Sequence, residues 1–346
     1  MKRTVNVLQI AATYMGTIVG AGFATGQEIL QFFTRFGYWG TAMIAAATVL
    51  FVWLGVKMML LASEINAKSY EDLNKVLFGE RYGRWVSHFM LVVLLGVTAV
   101  MLAGAGTIFY ENWNISYQAG LLITMFGSFL LLRKGMKAIL AVNAVIVPLM
   151  VLFSVLVMSQ TFQLPEADRF LTLPTDRPLW SALAAPLLYT AFNLSMSQAV
   201  LVPLGAEIKD RKSIVLGAWV GGIGIGLLLL AGHIALSAHM PGVTQYAIPM
   251  GGIARQLGSG VQLVYTFLIF AEIFTTLIAD IYGLTLQLQQ RTNGPRTLII
   301  LLILAFCYFT SQIGFGPLLS TLYPLFGFVS IGWLYLIARQ KKLQIP

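Results

Sequence analysis

Met15–Gln31 reads MGTIVGAGFATGQEILQ, an apolar run interrupted in two ways. Gly16, Gly20, Gly22 and Gly26 each weaken a helix by roughly 1 kcal/mol relative to alanine. Gln27 and Glu28 follow at a depth where a membrane span should be apolar, and an acidic side chain at mid-bilayer costs about 2.5–3.5 kcal/mol on insertion scales. A segment that only anchors a protein has no use for either feature. The stretch predicts a helix broken so that its backbone can bind something.

Composition fits that setting. Of 346 residues, 58% are hydrophobic and 10% charged, and the mean hydropathy is +0.81. Soluble domains carry about 25% charged residues, so the chain reads as an all-α integral membrane protein. At roughly 20 apolar residues per span, ten transmembrane helices are expected: 5–33, 39–61, 85–110, 117–132, 138–158, 179–205, 213–238, 261–288, 297–310 and 317–338. Lys2 and Arg3 imitate the start of a secretory signal, but the run behind them is too long and carries Gln27 and Glu28; it reads as an uncleaved first helix. Between the second and third spans, Tyr70, Leu73, Val76 and Leu77 recur at helical spacing and predict a short surface helix. The loop 239–258, with Pro241 and Pro249, is expected to fold back onto the protein.

With the N-terminus inside, all but Arg35, Arg169, Arg177 and Arg255 of the 22 Lys and Arg fall on the cytoplasmic side. The positive-inside rule therefore predicts both termini in the cytoplasm. It also accounts for the net charge of +9 without a nucleic-acid partner. Cys307, alone, excludes an internal disulfide and reads as a buried small hydrophobe. No Ser/His/Asp set, cysteine cluster or phosphate loop suggests an enzyme, and His88, His233 and His239 show no metal-site spacing.

The proline-bearing connector 159–178 divides the chain into 1–158, with five spans, and 179–338, with five more, before a tail at 339–346. Five is odd, so a repeat of this kind is inverted in the membrane, and its binding site lies at discontinuous helices in corresponding positions. The first helix of the second half, Ala184–Gly205, reads AAPLLYTAFNLSMSQAVLVPLG, with Asn193, Ser195, Ser197 and Gln198 between Pro186 and Pro203. A break in helix 6 matching that in helix 1 is expected.

Three constellations can carry chemistry. Unwinding at Gly20-Ala21-Gly22 frees amides that suit a carboxylate; the plainer reading is close helix packing. Glu272, Thr275 and Thr276 share a face of the eighth span. Their oxygens suit a hard cation such as Na⁺, or the threonines bond back to their own helix. Glu28 and Glu272 have no deep Lys or Arg to neutralise them, so each is protonated, wetted by a cavity, or facing a cation; either can carry a proton. Asp280 is expected to face the cytoplasmic vestibule. The glycines 217, 221, 222, 224 and 226, and Gly104-Ala105-Gly106, read as packing faces, and Trp39, Trp85, Trp113 and Trp180 as interface anchors.

With Gly16-Thr-Ile-Val19-Gly20-Ala-Gly22 and Thr275-Thr276, the chain resembles the amino acid–polyamine–organocation superfamily of LeuT-fold transporters, and within it the YkvI-type bacterial membrane proteins. The resemblance implies a Na⁺ site built from carbonyls at Gly16, Val19 and Glu272 and the hydroxyls of Thr275 and Thr276. Phe23 stands where some relatives place an asparagine for a second sodium. The fifth span, with Asn143, Pro148 and Ser154, lacks the lysine of some proton-coupled relatives, which favours sodium. Glu28 lies outside that pattern and keeps H⁺ coupling open. The implied function is Na⁺-coupled symport of a small amino acid or related amine. Its substrate would sit on Gly20, Ala21, Gly22, Phe23 and Thr25, facing Phe192, Asn193 and Ser195. A membrane sensor that binds but does not transport, like the spore-germinant receptor subunits, is the alternative.

Overall fold

The computed structural model describes residues 2–67, 69–132, 136–175, 177–292 and 294–340, with the side chains of 2, 136–147, 290 and 291 outside that description. Asn143, and Lys134 and Lys137, which the charge count assigned to the cytoplasmic side, therefore lie outside the described side chains. Among the described residues the secondary structure is helical throughout, without strands.

The opening segment forms three pieces, α1 (Lys2–Ile18), α2 (Ala21–Ala24) and α3 (Gln27–Phe32). Next comes α4 (Trp39–Ile65), which ends on Asn66 in the left-handed region, a conformation asparagine tolerates. A capping box at Ser69 and Asp72 starts α5 (Tyr70–Trp113): the Ser69 Oγ accepts from the Asp72 amide at 3.4 Å and the Asp72 carboxylate from the Ser69 amide at 3.2 Å. The surface helix expected near residue 70 is present but is not separate. It runs into the third apolar segment across a kink at Gly79, where φ is +79° and ψ 165°. Beyond it lie α6 (Tyr117–Leu132), α7 (Met136–Thr161), α8 (Arg169–Thr172), α9 (Leu179–Glu207) and α10 (Arg211–Ala238). Then come α11 (Pro249–Gln256), α12 (Ser259–Thr292), α13 (Arg296–Ser311) and α14 (Phe315–Arg339).

Six of these, α4, α5, α9, α10, α12 and α14, are long and apolar enough to cross a bilayer; α6, Pro148–Thr161 of α7, and α13 are shorter apolar helices. Phe126, Trp180, Leu227, Phe309 and Phe328 stand exposed on the outer surface, where only a lipid solvent makes them unremarkable.

One sequence expectation fails here. The sixth segment is not discontinuous: α9 runs unbroken from Leu179 to Glu207 through Pro186 and Pro203. Its polar centre is satisfied within the helix. Asn193 donates to the Tyr189 carbonyl (3.0 Å), Ser195 to Phe192 (2.8 Å), Ser197 to Leu194 (3.1 Å) and Gln198 to Ser195 (2.7 Å). Short polar side chains that bond back to carbonyls three or four residues earlier need no unwinding.

Helix α10 packs by its glycines. A Cβ on Gly217 would meet Ile10 of α1 at 2.6 Å, one on Gly221 would meet Tyr14 at 2.9 Å, and one on Gly222 would meet the Val52 amide nitrogen of α4 at 3.0 Å. The bare row thus lets α1 and α4 lie close against α10, as its sequence suggested. Tyr14 adds a hydrogen bond to the Phe51 carbonyl at 2.8 Å.

Candidate functional site at the broken first helix

Two glycines end helix where the sequence placed the break. The Val19 amide, just past α1, donates to the Met15 carbonyl at 2.7 Å, and the Gly20 amide turns back to Ile18 at 2.9 Å, with Gly20 itself extended (φ −99°, ψ −169°). The first amides of α2, at Ala21, Gly22 and Phe23, have no acceptor within their own helix. Thr25 closes α2 by donating to the Gly22 carbonyl at 2.9 Å. Gly26 then takes φ +79°, which a residue with a Cβ adopts at a cost of about 1–2 kcal/mol, and α3 begins.

Two neighbours cover the second break. Tyr265 of α12 donates its hydroxyl to the Ala24 carbonyl at 2.7 Å, and the Met250 amide of α11 donates to the Thr25 carbonyl at 3.0 Å. The loop 239–258 therefore does fold back onto the protein, through α11. Val19, Phe23, Ala24, Ser154, Met250 and Tyr265 line a small cavity of about 10 Å³, room for about one water. On the other side of the break the protein is open. Val5, Gln9 and Ala12 of α1 are exposed and Gly16 and Gly20 half-buried along one face. That face leads to a polar cleft of about 620 Å³ lined by Arg3, Asn6, Gln9, Glu207, Lys209 and Asp210.

Glu28 is buried against Gly22. A Cβ at Gly22 would overlap its Oε1 and lie 2.7 Å from its carboxyl carbon, so the bare glycine makes room for the acid. The Tyr189 hydroxyl faces that carboxyl, but neither Tyr189 Oη nor Glu28 Oε2 has a partner of hydrogen-bonding geometry. Rings of Phe32, Phe33 and Phe51 enclose Tyr189 at centroid distances of 5.3, 5.1 and 6.0 Å. Gln27 Oε1 beside Glu28 is likewise buried without a partner.

The other expected site residues fall in three places. Gly20, Ala21, Gly22, Phe23 and Thr25 are together in and around α2, and Phe23 reaches the cavity. Phe192 packs tilted against Tyr323 of α14 (centroids 4.3 Å apart), Asn193 is tied to its own helix, and the Ser195 hydroxyl meets Ser330 Oγ at 2.9 Å; none of the three lines the small cavity. Of the expected cation ligands, Val19 borders the cavity and Gly16 lies on the open face of α1. Glu272 is buried with Oε2 unpartnered, Thr275 donates back to the Glu272 carbonyl at 3.2 Å, and Thr276 is half-buried. Asp280 is half-buried, with its Oδ2 buried and without a partner. Sequence reasoning passed over Tyr189, Tyr265 and Met250. For the tyrosines the signal was a ring with a polar tip at mid-span, which needs a partner there.

The long apolar helices mark a polytopic membrane protein, and comparison with solved structures shows its fold to be that of LeuT-type transporters. The inward-facing conformation of Mhp1 superimposes with a TM-score of 0.61 over 95% of this chain and 75% of that one, at 10% identity. The Eremococcus coleocola manganese transporter, in complex with a bis-isothiourea compound, gives 0.55 over 94% and 76%, at 15% identity. No family model matches the sequence. The membrane protein YkvI of Bacillus subtilis (strain 168) is 43% identical over 333 residues, 96% of this chain and 95% of YkvI. YyaD of the same strain is 24% identical over 317 residues, 92% and 91% of the two chains. The chain belongs to the YkvI family of membrane proteins.

Proposed function

We propose that the protein is a secondary transporter working by alternating access, and that it takes up a small amino acid or related amine by symport with Na⁺. The carrying observation is the first helix: twice broken at glycines, covered by Tyr265 and Met250 on one side and open along α1 on the other. In this reading the chain has ten spans in two inverted sets of five, 1–158 and 179–338, joined by an extracellular connector, with both termini cytoplasmic. The six long and three shorter apolar helices, with the broken first one, support that count. The fold gives the general architecture; the site argues for the substrate. Among the described residues no three His, Cys, Asp or Glu side chains converge on a point, so manganese, the cargo named for one structural neighbour, is not extended to this chain.

Substrate would rest on the free amides of Ala21, Gly22 and Phe23, beside Gly20 and Thr25. Phe192, Asn193 and Ser195 would take part only after α9 moves toward α2. Na⁺ would join the Gly16 and Val19 carbonyls to Glu272, Thr275 and Thr276, and would bias the two states through its different affinity for each. Protons are the second coupling ion to consider, because Glu28 and Glu272 each keep a buried carboxyl oxygen without a partner. The test is purified protein in proteoliposomes, with substrates chosen by a thermal-shift screen of amino acids and amines with and without Na⁺. Uptake driven by an inward Na⁺ gradient is expected. Binding without uptake under either a Na⁺ or a H⁺ gradient would replace transport by sensing.

A further inference from the structure

Just past the kink at Gly79, Arg81, Arg84, Trp85 and His88 recur at i, i+3, i+4 and i+7 and share one exposed face of α5. They line a cleft of about 400 Å³. Among the described residues neither arginine is in an ion pair; Arg84 reaches only the Glu80 carbonyl, at 3.4 Å. Trp85 also borders a second cleft of about 350 Å³ between α5 and α14. Phe89, Met90, Val329 and Trp333 wall it, and it ends at the hydroxyl pair of Ser195 and Ser330. Arg81 to Met90 spans about 13 Å of helix, so the joined clefts are basic at the mouth and apolar in depth. By contrast, the groove of about 590 Å³ bounded by Leu95, Leu288 and Phe306 has no charged lining residue among the described residues.

We propose that the joined clefts hold one anionic phospholipid, with its phosphate on Arg81 and Arg84 and one acyl chain passing Trp85 toward Ser195 and Ser330. Unpaired guanidinia at the start of a span attract an anionic headgroup, and an exposed tryptophan at that level marks the membrane interface. The chain would lie between α5, α9 and α14, bracing their contact from the lipid side. The assignment stands whether or not the protein transports.

The test is a titration of the purified full chain in mild detergent with dioleoyl phosphatidylglycerol and dioleoyl phosphatidylcholine, read by native mass spectrometry. Phosphatidylglycerol is expected to bind more tightly. Arg81→Gln and Arg84→Gln, both on the surface, should each lower that affinity about fivefold and leave phosphatidylcholine binding unchanged. Brominated phosphatidylglycerol should quench the buried Trp333, read as the difference between the wild type and Trp333→Phe. Equal binding of the two lipids, a preference that survives the double arginine substitution, or stabilisation by glycerol phosphate alone equal to that by the whole lipid would each overturn the assignment.

Discussion

Replacing Gly22 with alanine separates two opposite expectations. Judged as a helix position, Gly22→Ala stabilises, by at most about 1 kcal/mol, because its φ is not in the left-handed region. Judged from its surroundings it destabilises. The new methyl would overlap Glu28 Oε1 and lie 2.7 and 2.8 Å from Cδ and Cγ, where real Cβ contacts stay beyond about 3 Å. Glu28 is only 4% exposed, so its carboxyl has no water to move into, and forcing a buried side chain aside costs about 1–3 kcal/mol. The net expected loss is up to about 2 kcal/mol. In a Glu28→Ala background the collision is gone and the same substitution should be neutral or stabilising. The pair is therefore coupled by the collision itself, about 1–3 kcal/mol, above the few tenths expected of independent sites. The assay is thermal unfolding of the four variants of the cycle in one detergent, with denaturant titration to convert midpoints into free energies. A Gly22→Ala effect of the same sign and size in both backgrounds would refute the packing of Glu28 on Gly22.

Three further substitutions probe the same region. Gly26→Ala must hold φ at +79° and place its Cβ 2.6 Å from Met250 Cγ; a loss of at least about 1–2 kcal/mol is expected, and adding Met250→Ala should recover only the part due to contact, as read by thermal midpoint. Tyr265→Phe leaves the buried Ala24 carbonyl without its 2.7 Å donor; about 1–3 kcal/mol should be lost, with faster hydrogen exchange confined to the segment around α2, and unchanged exchange there would count against a covering role. Thr275→Ala with Thr276→Ala should abolish any Na⁺-dependent thermal shift and leave stability in K⁺ near that of the wild type, whereas a Na⁺ response that persists would place the cation elsewhere.

What the sequence could and could not disclose follows from the range of each interaction. The break in the first helix was legible because glycine clustering and mid-span polarity are both local. The packing row of α10 was legible for the same reason. The proposed break in helix 6 looked equally local, yet Asn193, Ser195, Ser197 and Gln198 each found a carbonyl within their own helix. Polarity marks a span whose backbone can be broken, but only unpaired geometry breaks it. The pairing of Glu28 with Gly22 was not legible. Residues six apart on a continuous helix do not face each other; the left-handed turn at Gly26 brings them together.

The helices sort by packing differently from their order in the chain. Helices α1, α4, α9, α10 and α14 pack mainly on one another, while α5, α6, α7, α12 and α13 form a second group. Each group draws members from both sides of the 159–178 connector. The short α2 lies at their border, against α12, and the small cavity beside it is walled by α10 from one group and by α7 and α12 from the other. A ligand held at α2 would therefore touch both groups at once. Its contacts differ between two arrangements of those groups only if one group can shift while α2 stays put, and the breaks at Gly20 and Gly26 uncouple α2 from α1 and α3 in the way such a shift requires. A single continuous first helix would carry its whole length with α10, through Gly217 and Gly221, and would drag any site on it along. The breaks at Gly20 and Gly26 thus give two of the span's four glycines a role: they leave α2, which rests on α12, without a rigid helical link to α1 and α10.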